Sequence, residues 1–267
     1  MHDDKLEILL TDHPFRTLQG EGRYAGQGAV FVRTTGCLVQ CAWCDSRFSW
    51  MRNDSTISYD TDRLAHLLSV FACRGTDYAV ITGGEPFLHD ASIASLLHEL
   101  AMCNSQNKDK AVMYRIGFET SGVAPMTETA NYIANNPYAF AYHITFSPKL
   151  TSALCPPDAK GKTPIQLFLS NYESAFAHQR VKDAVLADFK FVITKQFFRD
   201  DIEEVKQLVA LYPQIVERKR VWLMLEHTMF ESEDLHHYRK LWETCITLGY
   251  NFTPRLHTIS VGAKRNA

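Results

Sequence analysis

Apolar and polar positions alternate along this chain in blocks that predict a regular succession of strands and helices. Short apolar runs of the kind that form buried strands occupy Ala29–Arg33, Tyr78–Ile81, Ala111–Phe118, Ala139–Phe146, Leu186–Ile193 and Val221–Leu225. Longer segments with helical spacing of apolar residues lie between or after them, at Thr61–Cys73, after a cap at Asp90, and at Asp200–Tyr212 and Glu233–Leu248. Leu256–Val261 is predicted to be a last short strand. Strand followed by helix throughout predicts a parallel sheet covered by helices.

One stretch of the chain departs from this alternation. Between residues 151 and 185, the sequences Cys155-Pro156-Pro157 and Lys160-Gly161-Lys162 predict a loop, and Ile165–Phe176 predicts a helix near the rim of the sheet. A chain of 267 residues with 46% hydrophobic content suits one large globular unit. We therefore expect a single domain over residues 1–267, with a loop and helix insertion around 151–185.

Charge and cysteine usage narrow the class of protein. The net charge is −2, so no basic field indicates a nucleic-acid or membrane partner. No window approaches 18 apolar residues, and the first ten residues lack the pattern of a signal peptide. Seven cysteines are present, an odd number, and three of them are clustered, which favours a reducing cytosol over a disulfide framework. We expect a cytoplasmic protein in which Cys73, Cys103, Cys155 and Cys245 are packing residues.

The clustered cysteines carry the strongest chemical signal. Cys37, Cys41 and Cys44 have the spacing C-x3-C-x2-C, and no fourth cysteine is near them in the sequence. Structural zinc takes four ligands, so a zinc knuckle would have to borrow a distant one such as Cys73 or His66. An iron–sulfur cubane held by three thiolates keeps one iron open for substrate or cofactor chemistry. Both interpretations stay open at the level of spacing.

Three further segments follow predicted strands, as the cysteine loop does. They are Thr82–Pro86, Glu119–Gly122 and Ser147–Lys149. In a barrel of parallel strands, the segments after the strands gather at one face, where active sites lie. We therefore expect these segments to converge on the cysteine loop, although each of them is also a plausible surface turn by itself.

The cysteine spacing together with Gly83-Gly84-Glu85-Pro86 resembles the radical S-adenosylmethionine superfamily. The resemblance implies a partial (β/α)6 barrel and a [4Fe-4S] cluster held by Cys37, Cys41 and Cys44. It also implies that S-adenosylmethionine chelates the open iron, and that an electron from the cluster cleaves it to a 5′-deoxyadenosyl radical. The implied residues of the S-adenosylmethionine site are Trp43, Cys44, Asp45, Gly84, Glu85, Ser147, Pro148, Lys149, Met224 and Glu226. In this reading the glycines let the backbone approach the ligand, and a carboxylate or carbonyl of Gly83–Pro86 accepts from its ammonium group.

Within that superfamily, Leu18–Gly22, Val30–Arg33 and Cys44–Ser46 together resemble the 7-carboxy-7-deazaguanine synthase family. The resemblance implies contraction of 6-carboxy-5,6,7,8-tetrahydropterin with release of ammonia. It also implies a flavodoxin or ferredoxin as electron donor, and a homodimer. Arg33 offers a planar fork for the substrate carboxylate, and Glu21 can accept N–H bonds from the pterin amino edge. The implied substrate residues are Leu18, Gln19, Gly20, Glu21, Arg33, Thr82 and His257.

The resemblance also implies a magnesium ion beside the cluster. Ser46 occupies the position of a family threonine that ligates Mg2+, and both residues carry a hydroxyl group. A single protein hydroxyl makes a weak Mg2+ site, which is consistent with a metal that keeps several water or substrate ligands. At Met224 and Glu226 the sequence departs from a proline-containing turn that relatives often have near the adenine.

Two other functions remain as alternatives at this stage. An activase that places a glycyl radical on a partner enzyme would share the cluster, but it needs a protein docking surface instead of a closed polar pocket. A zinc-stabilised binding module would not be an enzyme at all. Polar partners for a pterin in the mouth of the barrel distinguish the first, and metal content distinguishes the second.

Overall fold

The computed structural model describes residues 6–106, 112–226 and 234–261. Ten strands and eight α-helices are assigned in these ranges. The strands are β1 Glu7–Leu10, β2 Phe15–Leu18, β3 Gly28–Thr34, β4 Ile57–Asp60, β5 Tyr78–Gly83, β6 Arg115–Thr120, β7 Ala141–Phe146, β8 Val185–Ile193, β9 Val221–Leu225 and β10 Asn251–Phe252. The helices are α1 Thr61–Cys73, α2 Asp90–Gln106, α3 Thr127–Asn135, α4 Pro164–Ala175, α5 Gln179–Ala184, α6 Phe198–Leu211, α7 Asp234–Leu248 and α8 Leu256–Val261.

All ten strands belong to one sheet, and six of its long strands are parallel neighbours. The order along the sheet is β10-β9-β8-β7-β6-β5-β3-β1-β4, and β2 pairs with β3. Strands β3 to β10 in this order pair in parallel, whereas β1 and β2 pair antiparallel with β3. Within the described residues the two end strands, β10 and β4, do not pair with each other. The fold is therefore an open, partial barrel, as expected.

The two faces of the parallel strands have opposite character. Ile81, Phe118, Phe189, Phe191 and Leu223 belong to the main apolar core. Their sequence neighbours on the same strands point to the other face, where polar side chains from four strands line one cavity: Arg33, Thr82, Glu119 and Lys190. Since side chains alternate along a strand, a single polar residue inside an apolar strand lies on the inner face of the barrel.

A buried ionic cluster lies on this inner face below the cavity. Arg23 donates two hydrogen bonds to Asp188, of 2.6 and 2.7 Å, and His143 Nε2 lies 2.9 Å from the same carboxylate. The Tyr24 ring packs edge-on against His143 with centroids 4.8 Å apart. Burial by itself would raise the pKa of Asp188, but the hydrogen bonds from Arg23 and His143 outweigh it and lower the pKa to about 2. The segment after β2 thus fills the barrel interior with satisfied polar groups.

Two sequence predictions differ from the structure. Leu256–Val261 is helix α8 and not a strand, and the edge position beside β9 is taken by β10 instead. Thr258 and Ile259 donate backbone hydrogen bonds back to Arg255, which forms a helical turn. Strand β6 begins at Arg115 and runs to Thr120, later than the predicted Ala111–Phe118. Ala111 and Glu233, which the predicted elements include, lie outside the described residues.

The 151–185 region contains a loop and two helices. A 3-10 turn covers Thr151–Ala153, and α4 covers most of the predicted Ile165–Phe176 segment. Thr163 and Gln166 form a reciprocal capping box at the start of α4. Asn171 donates to the carbonyls of Gly122 and Val123, at 3.0 and 2.9 Å. The helix is therefore anchored to the loop that follows β6, at the rim of the cavity.

Over the described residues, no helix combines the length and apolarity needed to cross a membrane.

Candidate active site

One cavity of about 240 Å³ opens at the carboxyl ends of the parallel strands. It brings together nearly all of the residues that the sequence analysis selected. The predicted residues that line it are Leu18, Gln19, Gly20, Glu21, Arg33, Cys37, Cys41, Trp43, Cys44, Asp45, Ser46, Thr82, Gly84, Ser147, Lys149, Met224, Glu226 and His257. Glu85 and Pro148 do not line it. The predicted convergence of the strand-end segments is therefore observed.

The cysteine loop follows β3 and is fixed at both ends by backbone hydrogen bonds. Gly36 donates to the Ser49 carbonyl at 2.7 Å, and Cys37 donates to the Trp50 carbonyl at 3.0 Å. The Cys44 sulfur accepts from the Ser46 amide at 3.4 Å and from Trp50 Nε1 at 3.3 Å. N–H groups aimed at sulfur stabilise the thiolate form and tune an iron–sulfur centre. The loop thus presents three thiols to the cavity in a preformed arrangement.

The three thiols fit a cluster better than a single ion. Among the described residues, no three His, Cys, Asp or Glu side chains converge as they would around one metal ion. In a cubane each thiolate binds a different iron, so the sulfurs stay apart. The ligands that a zinc site would have to borrow, His66 and Cys73, instead line a separate cavity together with Cys103. The zinc interpretation is not supported by this geometry.

The thiols of the loop have different pKa values. Burial raises the pKa of Cys37 and of Cys44. Cys41 behaves differently because the Cys155 thiol donates a hydrogen bond to its sulfur, which lowers the pKa of Cys41 to about 6. Cys155 was predicted to be a packing residue, and sequence spacing gave no indication that it lies beside the loop.

The glycine pair after β5 is required by close packing of backbone on backbone. A Cβ at Gly84 would lie 2.0 Å from the Gly36 carbonyl oxygen. Gly83 has a φ of +125°, and a Cβ there would lie 2.2 Å from the Thr34 oxygen. The sequence analysis attributed these glycines to approach by the ligand. In the structure they let the strand end approach the cysteine loop, which sets the position of that loop in the cavity.

The Glu85 side chain lies outside the cavity lining, although the sequence analysis placed Glu85 in the S-adenosylmethionine site. Its carboxylate is fully buried and accepts from Thr120 Oγ1 at 2.6 Å and from the Ser121 amide at 2.9 Å. The Phe87 amide donates to it as well. Burial raises the pKa of Glu85. The carboxylate therefore ties the loop after β5 to the end of β6, and it is not part of the cavity lining. Pro148 is likewise buried outside the lining.

Polar side chains after β7 face the cysteine loop. Lys149 Nζ donates to Ser147 Oγ at 3.1 Å and lies 5.4 Å from the centre of the Trp43 ring. The Trp43 Nε1 group is buried and has no hydrogen-bond partner among the described residues. A buried donor without a partner is costly unless a ligand accepts from it. Met224 and Glu226 line the same cavity from the end of β9.

The same cavity also holds a buried ion triad. Lys190 and Arg255 both donate to the Glu21 carboxylate, with Arg255 Nε 3.2 Å from Oε1. Burial alone would raise the pKa of Glu21, but the two cations outweigh it and hold the pKa well below its usual range. Burial also works against the charge on Lys190, yet the Glu21 carboxylate raises its pKa. Glu21 and Lys190 are therefore both ionised.

Two predicted substrate residues share one acceptor. Gln19 Nε2 donates to Glu119 Oε1 at 2.9 Å, and Thr82 Oγ1 donates to Oε2 of the same carboxylate at 3.0 Å. Glu119 itself lines the cavity. Each side chain is held by the next, so this group presents a fixed set of donors and acceptors to whatever occupies the cavity.

Arg33 is held by two aromatic rings and a carboxylate. Its guanidinium carbon lies 5.3 Å from the centre of the Phe15 ring and 5.4 Å from that of Phe48. Asp12 Oδ2 lies 3.3 Å from Nη1. Stacking fixes the plane of the guanidinium, which suits bidentate binding of a planar anion.

The C-terminal segment closes the cavity beside the triad. Leu256 donates its amide to the Gly20 carbonyl at 3.0 Å, and a Cβ at Gly20 would lie 2.3 Å from His257 Nδ1. His257 Nε2 is 4.0 Å from Glu21 Oε1, and burial lowers the pKa of His257. Gly20 therefore makes room for the His257 ring at the mouth of the cavity.

Sequence reasoning missed the cations of the triad as site residues. Lys190 and Asp188 are the two charged side chains of β8, and Arg255 follows a short edge strand. A lysine in an apolar parallel strand is itself a signal, because a strand covered on both faces has no reason to contain one. Their pairing with Glu21, which is distant in sequence, is visible only in the fold.

A parallel partial barrel whose mouth presents three cysteine thiols and a polar cavity defines the radical S-adenosylmethionine class of enzymes. The sequence model of a "4Fe-4S single cluster domain" matches residues 18–134. The fold is similar to QueE from Escherichia coli, with a TM-score of 0.60 and 22% identity, covering 94% of this chain and 95% of that one. It is also similar to anSMEcpe with bound AdoMet, with a TM-score of 0.53 over 88% of this chain and 66% of that one.

Sequence relatives specify the family. A 7-carboxy-7-deazaguanine synthase from Pyrobaculum aerophilum is 31% identical over 253 residues, which cover 94% of both chains. The enzyme of the same name from Halobacterium salinarum is 31% identical over 254 residues, covering 91% of this chain and 86% of that one. This chain belongs to the 7-carboxy-7-deazaguanine synthase family.

Proposed function

We propose that this chain is a radical S-adenosylmethionine lyase that converts 6-carboxy-5,6,7,8-tetrahydropterin to 7-carboxy-7-deazaguanine and releases ammonia. The observation that carries the proposal is that one cavity combines two sets of groups. The three thiols and the Trp43–Lys149 pair form the cysteine end, and the Glu21 triad with Arg33 and Glu119 forms a charged set, in which Arg255 contacts Asp45 of the cysteine loop.

The cysteine end suits a cluster and its cofactor. When bound, a [4Fe-4S] cluster with S-adenosylmethionine supplies a carbon radical able to abstract hydrogen from the substrate. Cys37, Cys41 and Cys44 would hold the cluster. Ser147 and Lys149 offer donors for the cofactor carboxylate and ribose, and the unpartnered Trp43 Nε1 is a further donor. Met224 and Glu226 would face its adenine.

The charged set suits a flat, charged heterocycle. The substrate carries a carboxylate and a guanidine-like edge, so it needs both cations and acceptors. Arg33 and Lys190 supply the cations, and Glu119 with Glu21 supplies carboxylate oxygens. Gln19 and Thr82 are oriented by Glu119 and fix the ring by further hydrogen bonds. This matched set of charges favours a small-molecule lyase over an activase, because an activase must admit a protein segment.

The direct test is turnover under anaerobic conditions. Protein reconstituted with iron and sulfide, supplied with S-adenosylmethionine, a chemical reductant and 6-carboxytetrahydropterin, should form 7-carboxy-7-deazaguanine and ammonia in equal amounts. Cleavage of S-adenosylmethionine without consumption of the pterin would contradict the proposal. A glycyl radical formed on an added partner enzyme would favour the activase instead.

Arg33→Lys should separate substrate binding from cofactor chemistry. Lysine keeps the charge but loses the planar fork, so the specificity constant for the pterin should fall at least about tenfold. Cleavage of S-adenosylmethionine without substrate should persist, since Arg33 is assigned to the substrate carboxylate and not to the cluster or the cofactor. Arg16→Lys, a change at an exposed residue of the neighbouring strand β2, is the matched control and should behave as wild type. An unchanged specificity constant in Arg33→Lys would contradict the assignment of Arg33 to the substrate carboxylate.

We further propose that Ser46 contributes to a Mg2+ site. Ser46 lines the cavity beside the cluster cysteines, and its hydroxyl donates to Asp45 Oδ1 at 3.0 Å. Hydroxyl and carboxylate oxygens are ligands that Mg2+ accepts, with water and substrate oxygens completing the shell.

Activity of chelator-treated enzyme should rise when Mg2+ is added, and Ser46→Ala should blunt that response while Ser46→Thr preserves it. A bound cation would orient substrate oxygens as the ring contracts, so the loss should appear in turnover. Initial rates across a Mg2+ series measure the effect. Equal Mg2+ dependence in wild type and Ser46→Ala would indicate that the hydroxyl only caps the turn after the cysteine loop.

We also propose that the protein is a cytoplasmic homodimer reduced by a flavodoxin or ferredoxin. Leu235, Trp242 and Ile246 are 60%, 53% and 70% exposed on one face of α7, which supports a contact between two copies. Leu38 in the cysteine loop is 59% exposed, which supports docking of a small electron-transfer protein near the cluster. Sedimentation at the mass of a single chain would contradict the dimer, and failure of both donors to reduce the cluster would contradict their role.

A further inference from the structure

A fourth cysteine lies against the cluster loop. The sulfur of Cys155 is 3.6 Å from that of Cys41, although 114 positions separate the two residues. Cys41 lines the cavity, whereas Cys155 does not. Val39, Val123 and Ala153 pack around this contact. Cys155 is therefore a neighbour of a cluster ligand and is not placed to be a fourth one.

The backbone on both sides holds the two cysteines together. The Ala42 amide donates to the Ala153 carbonyl at 2.9 Å, which pins the cysteine loop to the 3-10 turn after β7. Gln40 and Leu154 have φ values of +50° and +53°, and they are the non-glycine residues with positive φ among those described. Each directly precedes one of the two cysteines. Residues in this conformation persist only where the surroundings offset their strain, so this apposition is specified by the fold.

We propose that Cys41 and Cys155 form a reversible disulfide when the chain lacks its cluster. A disulfide needs the sulfurs to close to about 2.05 Å. The Cys155 segment has room for this movement, because Leu154 before it is 68% exposed and Pro156 and Pro157 after it are exposed as well. The disulfide would protect Cys41 from irreversible oxidation. It would also block cluster assembly until a reductant cleaves it.

Hydrogen peroxide is an oxidant small enough for the cavity, and the steps balance with it. The Cys41 sulfur attacks one peroxide oxygen, the O–O bond breaks, and a sulfenic acid and water form once protons are transferred. The Cys155 sulfur then attacks the Cys41 sulfur, the S–O bond breaks, and a second water leaves. Two thiols lose two electrons and two protons, and one peroxide is reduced to two waters.

A bound cluster would prevent this oxidation of Cys41. In the loaded protein the Cys41 sulfur is committed to iron, so it is a poor nucleophile toward peroxide. The inference rests on the part of the proposed function that places Cys41 on the cluster, but it is independent of the substrate. The disulfide can be measured even in a chain that does not turn over the pterin. Failure of this inference and failure of the proposed function can therefore be distinguished.

Peptide mapping tests the inference directly. Cluster-free protein, reduced, desalted and treated with hydrogen peroxide, is digested without reduction and examined by mass spectrometry. The Cys41 and Cys155 peptides should appear joined, with a loss of about two thiols per chain, and dithiothreitol should restore both. Cluster-loaded protein treated in the same way should show no joined peptide at the same peroxide dose while its iron is retained.

Two variants make the result specific. Cys155→Ser should leave Cys41 open to irreversible oxidation, so less iron should be incorporated after peroxide followed by dithiothreitol than in wild type. Cys103→Ser, at a partly buried thiol in a different cavity, is the matched control and should recover as wild type does. Cys41 joined mainly to Cys37 or Cys44, Cys41 oxidised with Cys155 still a thiol, or equal joining with and without the cluster would each overturn the inference.

Discussion

Replacing any one of Cys37, Cys41 or Cys44 by alanine should abolish assembly of the iron–sulfur cluster. Wild-type protein reconstituted anaerobically should contain roughly four irons and four sulfides per chain. Each of the three thiols lines the same cavity, whereas Cys155, whose sulfur lies 3.6 Å from that of Cys41, does not line it and should not replace a missing ligand. Two thiolates leave two irons open, so the cluster should not persist. Iron and acid-labile sulfide analysis after desalting measures the effect.

The remaining cysteines are the controls for this prediction. Cys73 and Cys103 line a separate cavity between α1 and α2, and Cys245 is buried in the core under α7. Alanine at any of these positions, or at Cys155, should leave iron uptake unchanged. Stoichiometric zinc without iron in the wild-type chain, or full iron content in a Cys37→Ala variant, would contradict the assignment of the loop.

Glu21→Gln should destabilise the protein by about 3 kcal/mol, the lower end of the cost of breaking a buried ion pair. The change removes the counter-charge of Lys190 and Arg255, whose side chains are 8% and 7% exposed. Glu119 and Asp45 remain nearby and compensate in part, which is why the lower end is expected. Urea unfolding of the cluster-free, reduced chain at neutral pH measures the free energy of unfolding. Pterin turnover should fall as well, because the triad lines the cavity.

The lowered pKa of Glu21 determines how its contribution to stability changes with pH. The pKa of Glu21 is lowered in the folded state, so its contribution is fully present above the ordinary glutamate pKa of about 4.3. It is lost as the pH falls toward the folded value, and the difference between wild type and Glu21→Gln should shrink there. Glu217→Gln, at an exposed pair with Lys219, is the control and should cost at most about 1 kcal/mol. Equal losses in the two variants would show that the triad is not a stabilising unit.

The fold was largely accessible from the sequence because its signals are local. Apolar runs of strand length alternate with amphipathic helical segments, and that alternation dictates a parallel sheet. The exceptions have physical reasons. Leu256–Val261 has the length and composition of a strand, but the edge beside β9 is occupied by β10, and the C-terminal segment instead folds back on Gly20. A short apolar run is ambiguous until its neighbours are known.

The sequence predicted many of the residues that form the site, but it did not predict which of their side chains contact one another. The cysteine spacing, the glycine pair and the Gln19–Glu21 segment identified the residues that line the cavity. The role of Glu85 was not accessible, because whether a carboxylate faces a ligand or the core depends on which donors the adjacent strand end presents.

The sequence by itself determined the kind of chemistry. Three thiols at fixed spacing and glycines at a strand end depend on local covalent geometry and short-range backbone packing, which neighbours in the chain specify. Only the tertiary structure decided which distant groups meet. Glu21 meets Lys190 and Arg255, Gln19 and Thr82 share Glu119, and Cys155 lies against Cys41. These pairings depend on strand order and register, since long-range contacts are set by the way the whole sheet closes around its inner face.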